Sequence, residues 1–156
     1  MSISDLYPRS SHDHERVLAV IAAGPKAAEP MLEVLFMWLQ DINYPIAMPI
    51  ADFLITVGDP LIPHIKKILR SNDDMWIYWV LQYVVERLSP EHIRALEPEL
   101  YQLACVAEND IVATRIGASA GIWERKTMDW MLDNKIRAYE EFLLELKELR
   151  AKTSPE

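Results

Sequence analysis

A shift of 31 residues lays one part of this chain over the next, and that self-similarity limits what it can fold into. Met31, Val34, Met37 and Trp38 fall on Ile62, Ile65, Ile68 and Leu69. The same shift puts Ile46, Ile50, Phe53 and Val57 on Ile77, Leu81, Val84 and Leu88. Within each set the apolar residues recur mostly three and four apart, the spacing of a buried helix face. Between the sets lies a polar corner, with Asp41 and Asn43 facing Asn72 and Asp74. A looser third copy follows at a shift of 35: Val112, Ile116 and Trp123 match Ile77, Leu81 and Leu88, and Ser119 stands where Val84 would be. Paired helices with a polar turn, repeated at such a period, predict a short α-solenoid. No segment shows sustained two-residue alternation, so the predicted fold class is all-α.

Turn residues divide the chain further. We read a single domain: residues 1–13 as an irregular leader, 14–126 as helical hairpins (two clear, one degenerate), 127–150 as a capping helix and 151–156 as a disordered tail. In Gly58-Asp59-Pro60, glycine suits the left-handed residue after a helix, aspartate the next cap and proline the first turn. Ser89-Pro90 repeats that start. Asp41, Asn43 and Pro45 read as the cap and first turn of a second helix, and Pro49, one turn further in, should kink it. Pro98 should break its segment, leaving a helix from Glu99 to Ala107. In the last helix Leu132, Ile136, Tyr139, Leu143 and Leu146 alternate four and three apart. We read that stripe as a cap on the stack rather than a dimer seam, because Leu144 and Leu149 widen it. Gly117 and Gly121, with Ala113 and Ala120, form a small-residue face expected to press against this helix.

Composition excludes several functions. With 156 residues, 51% of them hydrophobic, the chain can bury one core. Four glycines are too few for a Gly-rich phosphate cradle. The net charge is −8, and no Lys or Arg lies between Lys26 and Lys66. Nucleic acid requires a basic stripe, so any partner should be a basic or neutral protein. One cysteine rules out an internal disulfide framework. The leader "MSISDLYPRSSHDHE" has no basic start and apolar run of a secretory signal, and stretches such as Met75 to Leu81 are too short to span a bilayer. The expectation is a cytoplasmic, non-membrane protein.

"WLQDINYPIA" (Trp38 to Ala47), followed by "GDPLIPHIKKIL" (Gly58 to Leu69), resembles a small bacterial family of uncharacterised HEAT-like domains with a WLQD[IM]N[WY]P[IV]A motif. The resemblance extends to Tyr7-Pro8 and His12-Asp13 in the leader and to the run from Trp76 to Trp79, over about residues 7–108. It implies a right-handed helical stack, an interaction role without established activity and, in a narrower form, an immunity protein that neutralises a toxin. The helix containing Gly117 and the helix from Met128 to Arg150 lie outside the recognised pattern.

Individual residues offer no catalytic set. His12, Asp13, His14 and Glu15 are too closely spaced to share a helix face as metal ligands, so they read as leader and N-cap. His64 and His92 have no second ligand at metal spacing, and Cys105 reads as core between Ala104 and Val106. We expect no metal, cofactor or catalytic residue. The surplus is aromatic. With Ile77, Leu81, Val84 and Leu88 in the core, Trp79, Gln82, Tyr83 and Glu86 point elsewhere, beside Met48 and Asp52 of the preceding repeat. Second helices of such units line the concave surface, so these six residues form a candidate acidic, aromatic protein-binding groove. Two alternatives compete: a small-molecule or enzymatic pocket between the leader and the second helices, and a homodimer through residues 128–150.

Overall fold

The computed structural model describes residues 3–106 and 110–153. Every regular element among them is helical. The chain divides into two compact units, Met1–Ile122 and Trp123–Glu156.

The first unit opens with a 3-10 turn, Ile3–Leu6, and α1, His14–Ala23. Asp13 caps α1 as expected, its carboxylate accepting from the Arg16 N–H at 3.4 Å and the Arg9 N–H at 2.9 Å. Residues 7–13 form no regular element, and the Ser11 carbonyl accepts from the Ile46 N–H at 3.2 Å. After α2 (Pro25–Ala28) come α3 (Leu32–Met37), continued by a 3-10 turn at Trp38–Gln40, and α4 (Ala47–Leu54).

The corner between α3 and α4 is a turn rather than a helix cap. Asp41 Oδ1 accepts the Asn43 N–H and the Asn43 side-chain amide, both at 2.9 Å, and the Asp41 carbonyl accepts the Tyr44 N–H at 3.1 Å. The helix begins only at Ala47, without a side-chain cap. Pro49 is therefore its third residue and replaces a first-turn N–H that has no intrahelical acceptor. The expected kink does not arise, and α4 continues through Pro49.

Gly58 takes the left-handed conformation, φ 83°, before α5 (Leu61–Leu69). Asp59 does not cap α5; its Oδ1 meets His92 Nε2 at 2.8 Å. Asp73 caps α6 (Asp74–Tyr83) by accepting from the Trp76 N–H at 3.0 Å. That helix stops earlier than its apolar stripe suggests. At Val84 the backbone leaves helical geometry (φ −122°, ψ −65°), and Val85–Arg87 form a 3-10 turn that buries both valines. Ser89 caps α7 (Pro90–Arg94), as predicted. Pro98 lies inside the first turn of α8 (Glu97–Val106) and breaks nothing.

α9 (Asp110–Ala120) packs chiefly against α8, so within this unit α8 is its main neighbour. Contacts run from α3 to α5 to α8 and from α4 to α6 to α9. These are two rows, one of first helices and one of second helices. Their shared core includes Phe36, Leu39, Ile50, Leu54, Ile65, Ile77 and Leu81.

The second unit is essentially α10, Arg125–Thr153. It extends helically into the stretch expected to be a tail, while residues 154–156 lie outside the described ones. Leu132, Ile136, Tyr139, Leu143 and Leu146 are exposed along it, together with Phe142, Leu144 and Leu149.

Candidate functional site

The six residues picked from the sequence lie on the second-row helices and the turn after α6. Met48 and Asp52 are exposed on α4; Trp79, Gln82 and Tyr83 are half-buried on α6; Glu86 is exposed in the following turn. Helical spacing puts Trp79 and Tyr83 one turn apart, and their rings meet at 5.9 Å and 46°. Tyr78 packs edge-on against Trp79 at 4.8 Å and 67°. The result is one aromatic cluster that is neither core nor free in water.

Its electrostatics differ from the expectation of an acidic groove. Arg87 Nη1 donates to Asp52 Oδ1 at 2.7 Å, and Arg87 Nε to the Tyr83 carbonyl at 2.8 Å. Arg115 Nη2, from α9, donates to Glu86 Oε2 and to Gln82 Oε1, each at 3.0 Å. Gln82 passes the chain on by donating to Tyr78 Oη at 2.8 Å. Both carboxylates are paired, so the strip is charge-balanced. Sequence reasoning missed Arg87 and Arg115, although a usable signal existed. Helices of one row are about one repeat apart, and these arginines stand 35 residues after Asp52 and 29 after Glu86. The ion pairs or bridges Lys67–Glu33, His92–Asp59 and Arg70–Glu99 have separations of 34, 33 and 29.

A second feature lies between α3 and α5. A cavity of about 110 Å³ is walled by Phe36, Ile68 and Trp76 and rimmed by Glu33 and Lys67. Phe36 stacks on His64 at 6.3 Å, and Trp76 Nε1 donates to the Phe36 carbonyl at 2.9 Å. The Lys67 ammonium, 2.6 Å from Glu33, holds that carboxyl below its ordinary 4.5, chiefly by hydrogen bonding and then by charge. A depressed carboxylate favours the folded state above its unfolded pKa, and the benefit is lost as pH falls through the lower folded value. In Lys67→Met the Glu33 carboxyl should therefore titrate at higher pH, readable by carbon NMR; an unmoved midpoint would show that the bridge is absent in solution.

Cys105 is exposed, contrary to its reading as core. α8 turns Leu100, Leu103 and Ala104 inward, and the next residue rotates to the outside. Its neighbour Cys105 raises the Tyr101 hydroxyl above its ordinary 10.0, first through charge and then through hydrogen bonding. His12 meets Ser11 Oγ at 3.1 Å, and His14 starts α1. Among the described residues no three His, Cys, Asp or Glu side chains stand together as metal ligands, and no helix is long and apolar enough to cross a membrane.

Residues 6–117 match the model of a family described as a domain of unknown function, DUF5071. The chain belongs to that family. The DUF5071 match runs from residue 6 through α1 to α8 and most of α9, somewhat more than the 7–108 of the motif resemblance. All six candidate residues, as well as Arg87 and Arg115, fall inside the DUF5071 region, and α10 falls outside it. Among curated proteins the chain has no match.

Proposed function

We propose that this chain is a non-enzymatic binding module that holds another protein on its second-row face. The observation that carries this reading is the half-buried cluster of Tyr78, Trp79 and Tyr83 on α6, with Arg87 joining the Tyr83 carbonyl to Asp52 of α4. Aromatic rings and arginines dominate the energetic centres of protein interfaces, because they bury much area at little cost in side-chain freedom. The flanking Asp52–Arg87 and Glu86–Arg115 pairs supply a polar rim already arranged for hydrogen bonding. A net charge of −8 favours encounter with a neutral or basic partner.

The test is affinity capture from the native cell with wild-type protein and with Trp79→Ala/Tyr83→Ala, its helical signal checked beforehand. Loss of an aromatic hot spot costs about 2 kcal/mol or more, roughly a 30-fold drop in affinity, so the partner should vanish from the variant sample. A partner retained at equal yield would rule this face out. The narrower toxin-neutralising form predicts that the captured protein is a toxin.

A second reading rests on α10 alone. Exposed apolar residues at alternating four- and three-residue spacing, Leu132 to Leu146, are what a helix presents to a second copy of itself. This predicts a mass that rises with concentration in sedimentation and falls to the monomer in Ile136→Glu/Leu143→Glu. A constant monomer mass would end that reading.

A further inference from the structure

The first row of helices holds a buried polar atom that the second-row face does not use. Where the C-terminal end of α5 meets the first turn of α8, a cleft of about 520 Å³ has Leu69, Pro98 and Leu103 in its apolar lining. Asn72 and Gln102 add amide groups. Glu99 also lines it, with its side chain only 2% exposed. Glu99 Oε1 accepts from Arg70 Nη2, while Oε2 is buried without a hydrogen-bond partner.

The pair is lopsided. Glu99 has left water, whereas the Arg70 side chain is 67% exposed and shares its charge with solvent. An ionised carboxylate offers about four lone-pair sites, and here one guanidinium nitrogen serves it. Two backbone donors at the start of α8 bond elsewhere: the Leu96 N–H to the Ile93 carbonyl and the Leu100 N–H to the Leu96 carbonyl. A buried acceptor of this kind calls for a donor from outside the chain.

We infer that the cleft binds a cationic nitrogen head on a short apolar stem, an alkylguanidinium or alkylammonium group. The head donates to Glu99 Oε2 and to the amide oxygens of Asn72 and Gln102. The stem lies along Leu69, Pro98 and Leu103, as lysine and arginine stems lie along apolar surface. The cleft volume falls within the range of small-ligand sites, and the chain's charge of −8 draws cations towards it. The same chemistry could arrive as a free small molecule or as a basic side chain of a partner.

The test is calorimetric titration of the full chain with n-butylguanidinium, with a blocked Gly-Arg-Gly peptide and with uncharged n-butylurea. We expect single-site binding of the two cations, weakened tenfold or more in Glu99→Gln and tightened severalfold in Arg70→Ala, where the competing cation is gone. Because Glu99→Gln disturbs a buried position, Gln102→Arg serves as an independent probe. It changes an exposed residue and tethers a guanidinium in the cleft, so it should block both cations. Tighter binding of n-butylguanidinium identifies a small-molecule site, and tighter binding of the peptide identifies a partner's side chain. The inference is overturned if neither cation binds, if Glu99→Gln and Gln102→Arg bind like wild type, or if n-butylurea binds equally well. It also fails if a crystal soaked with the probes shows Oε2 held only by an ordered water that neither displaces. None of these readouts depends on Trp79 or Tyr83, so the second-row face stands or falls separately.

Discussion

Phe36→Ala should destabilise the first unit by about 3–5 kcal/mol, the range for removing a buried aromatic ring. Phe36 is 1% exposed and stacks on His64 of the next hairpin, while its carbonyl holds the Trp76 indole. The ring therefore joins α3 to α5 and stands beside the start of α6. Deleting it removes transfer energy and enlarges a cavity already present between α3 and α5, which neighbouring side chains can only partly refill. Single domains are stable by about 5–15 kcal/mol, so the loss takes a large share of the total. Phe36→Leu keeps most of the volume and should cost clearly less. Urea unfolding of the three proteins decides the matter: a loss below about 1 kcal/mol for Phe36→Ala would mean that the ring is not a core residue.

Arg70→Ala should cost about 1–3 kcal/mol, the penalty for leaving a buried acceptor without its donor. The arginine is mostly in water and contributes little by its own burial; the cost comes from Glu99, left inside with neither oxygen bonded. The asymmetry can be checked. Arg70→Ala/Glu99→Leu should recover most of the loss, because a buried ion pair replaced by apolar groups of similar volume is often neutral or stabilising. Urea melts of the single and double variants form the cycle. A double variant no more stable than Arg70→Ala would mean that the carboxylate is held by something other than this arginine.

Features decided within a few residues are legible in the sequence. Asp13 and Ser89 cap the helices that follow them, and Gly58 takes the positive φ expected of it. Each rests on one side chain or one backbone angle next to the helix end. The same local logic misplaces Asp41 and Pro49, because it sets the start of α4 too early; once Ala47 is the first residue, Pro49 is an ordinary first-turn proline. Apolar spacing correctly puts Val84 in the core but does not show that α6 ends there. Val84 and Val85 are both buried, and a regular helix places adjacent residues about 100° apart.

The candidate face is legible by elimination. With Ile77, Leu81, Val84 and Leu88 turned inward, Trp79, Gln82, Tyr83 and Glu86 have to turn elsewhere, and Trp79, Gln82 and Tyr83 lie half-buried with Glu86 exposed. Its charge is not legible. Asp52 and Glu86 are carboxylates in the sequence, but whether they present negative charge depends on Arg87 and Arg115, which reach them from a neighbouring repeat.

By itself, then, the sequence determined that the fold is all-α and where several helices begin. Hydrophobic period and capping act within one turn of backbone and need no knowledge of neighbours. Only the tertiary structure decided that Cys105 faces out, that Glu99 is buried with one oxygen unpaired, and that two arginines balance the aromatic face. Burial and ion pairing belong to pairs of surfaces about one repeat apart, and a single helix's sequence does not record which side chain of the next helix lies within about 3 Å.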